Sequence, residues 1–426
     1  MSESLPGPAR AAVVAVGSEL LTLGRADTNS PYIAAALQRA GLKVAYTTVV
    51  GDERGDLTAA LSHALSQADL VVCTGGLGPT EDDRTRDAAA EVVGRPMHED
   101  ASVLATIEER FRRRGLTMPD INRRQAQVPA GATVIPNQRG SAPGLWIPAG
   151  PAAVLLLPGP PREMVPMLEE ALAAYVAPRW GGVTCQRALV VAGRSESWVD
   201  ERAASLYGPW HEEPLPITTT ILASLGIVEI HLSCHGDEAA PLAQRLEAAL
   251  AVLADTFGAD VVSRDGRSLE QAVGDLLAAR KWRVALAESC TGGLVTTRLT
   301  DIAGASAYVD RAVVAYSNDA KRDALGVPST LLEEHGAVSE PVAAAMAEGV
   351  RMRAGADVAL AVTGIAGPGG GTVEKPVGMV CLAVTGARGT EVRTLYLAGD
   401  RGVVRSLAAT AALDMLRHYV LAGQGA

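Results

Sequence analysis

The stretch best suited to chemistry is a polar turn that directly follows an apolar run in the C-terminal third of the chain. The run, residues 284–287, predicts a buried strand, and it leads at once into Glu288-Ser-Cys-Thr-Gly-Gly293. An amphipathic segment at 294–300 then predicts a helix. Free N–H groups and the positive end of a helix dipole stabilise negative charge at such a turn. The turn therefore predicts a nucleophile or anion site, with a simple helix cap and two turn glycines as the alternative.

Serine and cysteine stand side by side in this turn, so either Ser289 or Cys290 is a candidate nucleophile. A serine needs a base to activate it, and no histidine is placed to serve. The chain has only four lysines among its 38 basic residues, Lys43, Lys281, Lys321 and Lys375. Lysine, unlike arginine, can lose its proton, so rare lysines are expected where a group must deprotonate, with chance as the alternative.

Composition excludes several classes of function. The chain has 426 residues, 48% of them hydrophobic, and a net charge of −10, so a general binder of nucleic acid or of anionic membranes is not expected. Its five cysteines are scattered and form no CxxC pair, which argues against a disulfide framework or a zinc site. Without a signal-peptide pattern or an apolar run of membrane-spanning length, a soluble cytoplasmic protein is expected.

The N-terminal part alternates apolar runs with helical segments in the order strand, helix, strand, helix, strand. This order predicts a parallel sheet with helices on both faces. The third strand ends in Thr74-Gly-Gly-Leu-Gly-Pro-Thr-Glu-Asp-Asp83, where glycines allow a close approach to an anionic ligand. Asp82 and Asp83 are expected either to cap the next helix or to hold a divalent metal against phosphate. Two later loops, 137–144 and 158–164, are expected to converge on this one.

A smaller α+β unit, KH-like in outline, is predicted between the two larger parts, in the order strand, helix, strand, helix. It lacks a GXXG loop, so RNA binding is not expected. Its three histidines, His211, His231 and His235, make no recognisable set of metal ligands. The sequence thus predicts three domains, at 1–178, 179–260 and 261–426.

Two further polar segments follow predicted strands in the C-terminal part, Tyr316-Ser-Asn-Asp-Ala-Lys321 and Thr363-Gly-Ile-Ala-Gly-Pro368. With the turn at 288–293 they resemble the C-terminal domain of the CinA family, which is similar to nicotinamide mononucleotide (NMN) deamidase. The segments 74–83 and 157–164 resemble the molybdopterin-binding-like half of the same family. The resemblance covers nearly the whole chain and is weakest in the middle. It implies a three-layer α/β/α N-terminal domain and a C-terminal α/β deamidase domain.

For the C-terminal domain the resemblance implies hydrolysis of the NMN amide to nicotinic acid mononucleotide and ammonia, without a cofactor. Ser289 would be the nucleophile and Lys321 its base, with Tyr316 beside it and Thr363 in the proton relay or oxyanion site. Lys321 would need a lowered pKa for this role. Contacts to substrate would come from Gly292, Gly293, Gly364 and Arg401.

For the N-terminal domain the resemblance implies an ADP-ribose pyrophosphatase that depends on a divalent metal of the Mg, Mn or Co class. The candidate metal ligands are Asp82 and Asp83, together with Glu19, Asp27 or Asp52. The candidate phosphate contacts are Gly75, Gly76, Gly78, Thr80, Ser141, Gly144 and Gly159. The alternatives are a nucleotide- or molybdopterin-binding module without turnover and an enzyme of molybdenum-cofactor synthesis. The expected partners are small nucleotides and a second copy of the chain in a homodimer, with neither nucleic acid nor membrane.

Overall fold

The computed structural model describes residues 8–22 and 24–423, which form two compact units. The first unit runs to Cys185 and also contains Cys234–Ala243, and the second comprises Gln186–Ser233 and the chain from Gln244 onward. The division into three domains stays a prediction. Among the described helices, none is both long and apolar enough to cross a bilayer.

The first unit is built around a six-stranded sheet. Its helices are α1 (Ser18–Thr22), α2 (Asn29–Arg39), α3 (Arg54–Gln67), α4 (Thr85–Val92), α5 (Ala101–Arg113), α6 (Pro161–Ala171) and α7 (Ala177–Trp180). Its strands are β1 (Arg10–Val16), β2 (Lys43–Val50), β3 (Leu70–Thr74), β4 (Met97–Glu99), β5 (Gln127–Pro129), β6 (Thr133–Ile135), β7 (Gly144–Ala149) and β8 (Ala152–Leu157). The strand order is β2-β1-β3-β8-β7-β6, with β2, β1, β3 and β8 parallel, while β4 pairs with β5 separately.

Alternate residues of the central strands enter two separate cores. Val14 and Val71 pack on one face of the sheet, and Val13 and Val72 pack on the other. Because successive side chains of a strand point to opposite faces, strands covered by helices on both sides are apolar throughout. The expected three-layer α/β/α architecture is confirmed.

The chain next forms a four-stranded sheet in the order β10-β11-β9-β12. Its elements are β9 (Val183–Ala192), α8 (Glu196–Tyr207), β10 (Ile217–Ser224), β11 (Ile227–Gly236), α9 (Ala239–Phe257) and β12 (Val261–Ser263). The predicted strand–helix–strand–helix order is therefore incomplete, because it omitted β10 and β12.

The C-terminal part contains a five-stranded sheet in the order β14-β13-β15-β16-β17. Its helices are α10 (Leu269–Arg280), α11 (Leu294–Thr300), α12 (Asn318–Leu325), α13 (Ser329–His335), α14 (Glu340–Ala354) and α15 (Arg401–Ala422). Its strands are β13 (Val284–Glu288), β14 (Val309–Val314), β15 (Val358–Gly364), β16 (Met379–Gly386) and β17 (Gly389–Tyr396). The first three strands are parallel, so the polar segments that follow β13, β14 and β15 meet at one edge of the sheet.

Candidate active site

The turn after β13 is held by its own backbone. The Ser289 amide donates to Val362 O over 2.9 Å, and the Gly292 amide donates to Ser289 O over 3.1 Å. Gly292 and Gly293 have φ values of +61° and +92°, in the left-handed region that favours glycine. The two glycines therefore let the chain reverse tightly and present Ser289 at the strand end.

The side chain of Glu288, which is 1% exposed, holds the turn together through hydrogen bonds to its carboxylate. It accepts hydrogen bonds from the amides of Gly293 (3.0 Å), Val295 (3.1 Å) and Thr296 (2.8 Å) and from the Thr296 hydroxyl. A negative charge at this position also complements the positive end of α11. Glu288 thus takes the role of a helix cap, although it belongs to the preceding strand.

The amides of Gly292 and Gly293 are engaged within the turn, and substrate contact at these two residues stays a prediction. Both amides already donate within the protein, to Ser289 O and to the Glu288 carboxylate. Within the part of the chain that the structure describes, no backbone carbonyl accepts from the amides of Cys290 and Thr291, which point towards the Cys290 sulfur, a weak acceptor. These two amides, absent from the sequence prediction, are the available donors beside Ser289.

Lys321 lies against Ser289. The Lys321 Nζ is 3.0 Å from Ser289 Oγ and 3.0 Å from Ala315 O. Ser289 is 7% exposed and Lys321 is 2% exposed, although a lysine on an eight-residue helix would ordinarily reach solvent. Helix α12 is fixed at its start by the Ser317 hydroxyl, which accepts from the Ala320 amide over 3.0 Å. The two side chains lie 32 positions apart in sequence and form a buried serine–lysine pair.

Burial sets the protonation of both groups beside Ser289. Loss of solvation lowers the pKa of Lys321, because an uncompensated ammonium is costly in apolar surroundings. Burial also raises the pKa of the Cys290 thiol to about 12. Lys321 is therefore disposed to act as a base, whereas Cys290 stays a thiol and is a poor nucleophile at neutral pH.

Tyr316 and Arg401 lie at the sheet edge where the three polar segments meet. The Arg401 guanidinium donates to Tyr316 Oη over 2.7 Å and to Gly367 O over 2.9 Å. Tyr316 follows β14 and Gly367 follows β15, while Ser289 follows β13, which lies between them in the sheet. The arginine therefore connects the two strand ends on either side of Ser289. Tyr316 is 60% exposed, so its ring borders the entrance.

Thr363 and Gly364 form the third side of the site. The Thr363 hydroxyl donates to Ala337 O over 2.8 Å, and its hydrogen is thus used outside the serine–lysine pair. Gly364 is packed closely, since a Cβ there would lie 3.0 Å from Cys290 Sγ and 2.9 Å from Met379 O. Neither geometry assigns a role in the reaction, so the predicted relay through Thr363 stays a prediction.

In the first unit, several predicted ligand contacts meet where the parallel strands end. Gly75 and Gly159 are neighbours, because a Cβ on Gly159 would lie 3.6 Å from Gly75 Cα. Asn29, which sequence reasoning missed, donates to Thr74 Oγ1 over 2.9 Å and to Gly159 O over 2.7 Å. The hydrogen bonds of its amide group join the ends of β3 and β8. Gly144 begins β7 at the same end, since Leu145 pairs with Leu156.

The remaining predicted contacts of this unit are placed differently. Gly76 packs on the Thr85 hydroxyl, and a Cβ there would lie 2.2 Å from Thr85 Oγ1. Ser141 lies in the loop before β7, where the structure assigns its side chain no hydrogen bond among the described residues. Arg86, 4% exposed and also missed from sequence, donates to Leu77 O over 2.7 Å and to Gly78 O over 3.1 Å. Burial lowers the pKa of Arg86 to about 10, and its two hydrogen bonds attach the loop to α4.

The expected cap by Asp82 and Asp83 on the next helix is wrong. The Asp83 carboxylate accepts from the amides of Gly78 (2.7 Å) and Thr80 (2.9 Å) and from the Thr80 hydroxyl, while α4 begins later and has no side-chain cap. Asp82 is exposed. The amides of Gly78 and Thr80 therefore donate to Asp83 and are not available to a phosphate.

The predicted metal ligands are not assembled into a metal site. Asp27 accepts from the amides of Asn29 and Ser30 and caps α2, and the Glu19 carboxylate lies over Gly17. Asp52 accepts from the Ser18 amide over 2.8 Å. Among the described residues, no three His, Cys, Asp or Glu side chains are grouped so that they could hold a metal ion. The side chains present thus do not fit a protein-only metal site, and no reaction step is derived through a metal.

Comparison with known proteins supplies the context for these two sites. Residues 12–178 match a family model described as a probable molybdopterin binding domain, and residues 266–420 match the CinA C-terminal domain. A Symbiobacterium thermophilum protein described as competence-damage inducible is 48% identical over 96% of this chain and 99% of its own length. A CinA-like protein of Koribacter versatilis is 41% identical over 96% of this chain and all of its own.

Among solved structures, competence/damage inducible protein CihA from Agrobacterium tumefaciens is 47% identical. The match covers 35% of this chain and 91% of that one, with a TM-score of 0.34.

Replacing Glu288 by glutamine tests how much the buried carboxylate stabilises the turn that carries Ser289. We expect Glu288→Gln to lower the free energy of unfolding by about 2–3 kcal/mol, because a neutral amide accepts more weakly and turns an NH₂ group towards donors. Urea unfolding followed by circular dichroism measures the change. The exposed Glu333→Gln is the matched control, expected within about 0.5 kcal/mol of the wild type. Equal stability of the two variants would show that the carboxylate is not needed for the turn.

Proposed function

The chain belongs to the CinA family, and on that premise we propose that its C-terminal part is a serine–lysine amidohydrolase acting on NMN. The observation that carries the proposal is the 3.0 Å contact between Lys321 Nζ and Ser289 Oγ in a buried site. A serine and a neutral lysine within hydrogen-bond reach are a sufficient nucleophile and base. The choice of NMN as substrate comes from the family resemblance.

In the proposed reaction, neutral Lys321 removes the hydroxyl proton of Ser289 as Oγ attacks the carboxamide carbon. The tetrahedral intermediate carries its negative charge on the former carbonyl oxygen, and the amides of Cys290 and Thr291 are the donors available to it. The Lys321 ammonium then gives its proton to the departing nitrogen, which leaves as ammonia. Water, deprotonated by the same amine, attacks the acyl-enzyme and releases nicotinic acid mononucleotide and free Ser289.

Arg401 is the proposed contact for the anionic part of the substrate. Its guanidinium is already positioned by Tyr316 Oη and Gly367 O, both acceptors that leave its positive charge uncompensated. Among the described residues, no carboxylate pairs with Arg401 in an ion pair. A phosphate brought to this edge would therefore meet a fixed cation beside the nucleophile.

For the N-terminal unit we propose a binding site for a phosphorylated nucleotide or pterin at the ends of β3 and β8. The close approach of Gly75 to Gly159 and the bridge through Asn29 support a backbone-lined cleft. Hydrolysis of ADP-ribose there is the finer proposal. It would require a metal held largely by the substrate's own phosphates, since the nearby carboxylates form hydrogen bonds inside the loops.

Substitutions at the serine–lysine pair test the C-terminal activity. We expect the wild type to release ammonia from NMN and Ser289→Ala to lose at least about 10³-fold in kcat, because no other nucleophile is poised there. Lys321→Met is expected to lose a similar factor, since the base is removed. Cys290→Ala serves as the matched control and should keep most activity. Loss confined to Cys290→Ala would transfer the nucleophile to the neighbouring residue, and no release by the wild type would exclude the NMN activity.

The pH profile tests the protonation state of Lys321. Its pKa is lowered from the ordinary 10.5, so the neutral base is present above that lowered pKa and is lost as the pH falls through it. We expect kcat/KM for ammonia release to rise with pH through one ionisation that lies below 10.5. Measured alongside, Lys321→Arg should show low activity without this step, because arginine keeps its proton. A flat wild-type profile between pH 6 and about 10 would contradict a titrating lysine base.

Calorimetry with ADP-ribose tests the N-terminal site. We expect binding to the full chain in EDTA, because the cleft is lined by backbone and the carboxylates form no metal group of their own. Release of AMP is expected only after Mg²⁺, Mn²⁺ or Co²⁺ is added. Absence of ADP-ribose binding in both conditions would contradict the nucleotide proposal, and displacement experiments with molybdopterin would then test the pterin.

A further inference from the structure

The segment between β15 and β16 is a glycine-rich loop, residues 366–377, that leaves the sheet beside the nucleophile and returns to the same point. The Ile365 amide donates to Met379 O over 2.9 Å, and the Gly378 amide donates to Ile365 O over 2.7 Å, so the ends of the loop are closed on each other. Gly364, just before the loop, packs against Cys290 Sγ. The base of the glycine-rich loop is therefore part of the wall around Ser289.

The outer part of the loop is exposed, and the hydrogen bonds within it are local. Gly369, Gly370 and Gly371 are exposed, and Val373 is 95% exposed. Consecutive glycines carry a large conformational entropy, which favours many arrangements over one. Inside the loop, the Thr372 amide donates to Lys375 O over 2.8 Å, and the Lys375 amide donates to Thr372 Oγ1 over 3.0 Å. These local bonds shape one turn but do not attach it to the rest of the unit.

Two cations attach the loop to its surroundings. On the first limb, Arg401 donates to Gly367 O, as described above. On the second limb, the half-buried Lys375 donates from its side-chain nitrogen to His335 O and to Val338 O, the latter over 2.7 Å. Carbonyls at the C-terminal end of a helix carry partial negative charge, so an ammonium at the end of α13 is well matched.

The acceptors of Lys375 lie on either side of a residue that also contacts the active site. They bracket Ala337, whose carbonyl accepts the hydrogen of the Thr363 hydroxyl over 2.8 Å. Thr363 directly precedes Gly364 and the loop. One lysine side chain therefore fixes both the far limb of the glycine-rich loop and the connection that holds Thr363.

We propose that Lys375 is a positioning residue of the serine–lysine site, which pins the glycine-rich loop to the 335–338 connection and so preorganises the wall that the substrate meets. The proposal rests on the amidohydrolase function proposed above. Lys375 touches no reacting group, and it acts through the loop and through Ala337. Without the pin, ordering of the loop must accompany substrate binding, and that cost appears mainly in KM.

Kinetics of Lys375→Met with NMN test the pin. We expect KM to rise about tenfold with kcat within about threefold of the wild type, and the pH profile to keep its shape because Lys321 is untouched. Lys375→Arg keeps a charged donor and should recover part of the loss. The control is Lys281→Met, an exposed lysine at the end of α10. An unchanged KM, or a fall in kcat together with a lower Tm, would overturn the positioning role.

Hydrogen exchange of the ligand-free protein separates failure of this proposal from failure of the proposed function. In Lys375→Met, peptides covering 363–380 should exchange about tenfold faster than in the wild type, while those of α14 stay unchanged. If the wild type releases no ammonia from NMN, the amidohydrolase function fails, and the exchange result alone decides whether Lys375 pins the loop. Equal exchange in the two proteins would overturn the pin.

Discussion

The burial of the Lys321 amine is the constraint on which the C-terminal site depends. Its Nζ has two acceptors, Ser289 Oγ and Ala315 O, and neither carries a full negative charge. A charged ammonium there would suffer a desolvation cost of several kcal/mol without an ion pair to offset it. The pKa of Lys321 is lowered for that reason, and its neutral amine is the base of the proposed reaction. The ends of β13 and β14 and the start of α12 must all meet for this contact to exist.

Glu288, one residue before Ser289, has a different environment. Three amides and one hydroxyl donate to its buried carboxylate. Desolvation lowers the pKa of the lysine, whereas hydrogen bonds engage the carboxylate of the glutamate. Glu288 thus builds the turn, and the amine of Lys321 contacts Ser289.

The sequence predicted the architecture better than the site. Apolar runs alternating with helical segments predicted the parallel strands β1, β2 and β3 of the N-terminal sheet, because strands covered on both faces are apolar throughout. Strands β10 and β12 were missed, since the three consecutive threonines of β10 and the three-residue length of β12 carry little apolar periodic signal. The pairing of Ser289 with Lys321 came from the family resemblance, because no local pattern reveals that a solvent-seeking side chain turns inward. The use of the Gly293 amide by Glu288 is a tertiary contact that spacing alone could not show.

Both units contain a glycine-bearing turn after a buried strand, and in both an acidic residue of the same segment satisfies the turn. Glu288 accepts from Gly293, and Asp83 accepts from Gly78. Glycines at such turns leave amides that need acceptors, and buried amides without partners are costly. The hydrogen bonds of the turn are therefore enough to explain an acidic residue beside these glycines, without a metal or a phosphate. In the proposed reaction the ligand is bound by groups that the acid does not engage, which at the C-terminal site are the amides of Cys290 and Thr291 and the guanidinium of Arg401.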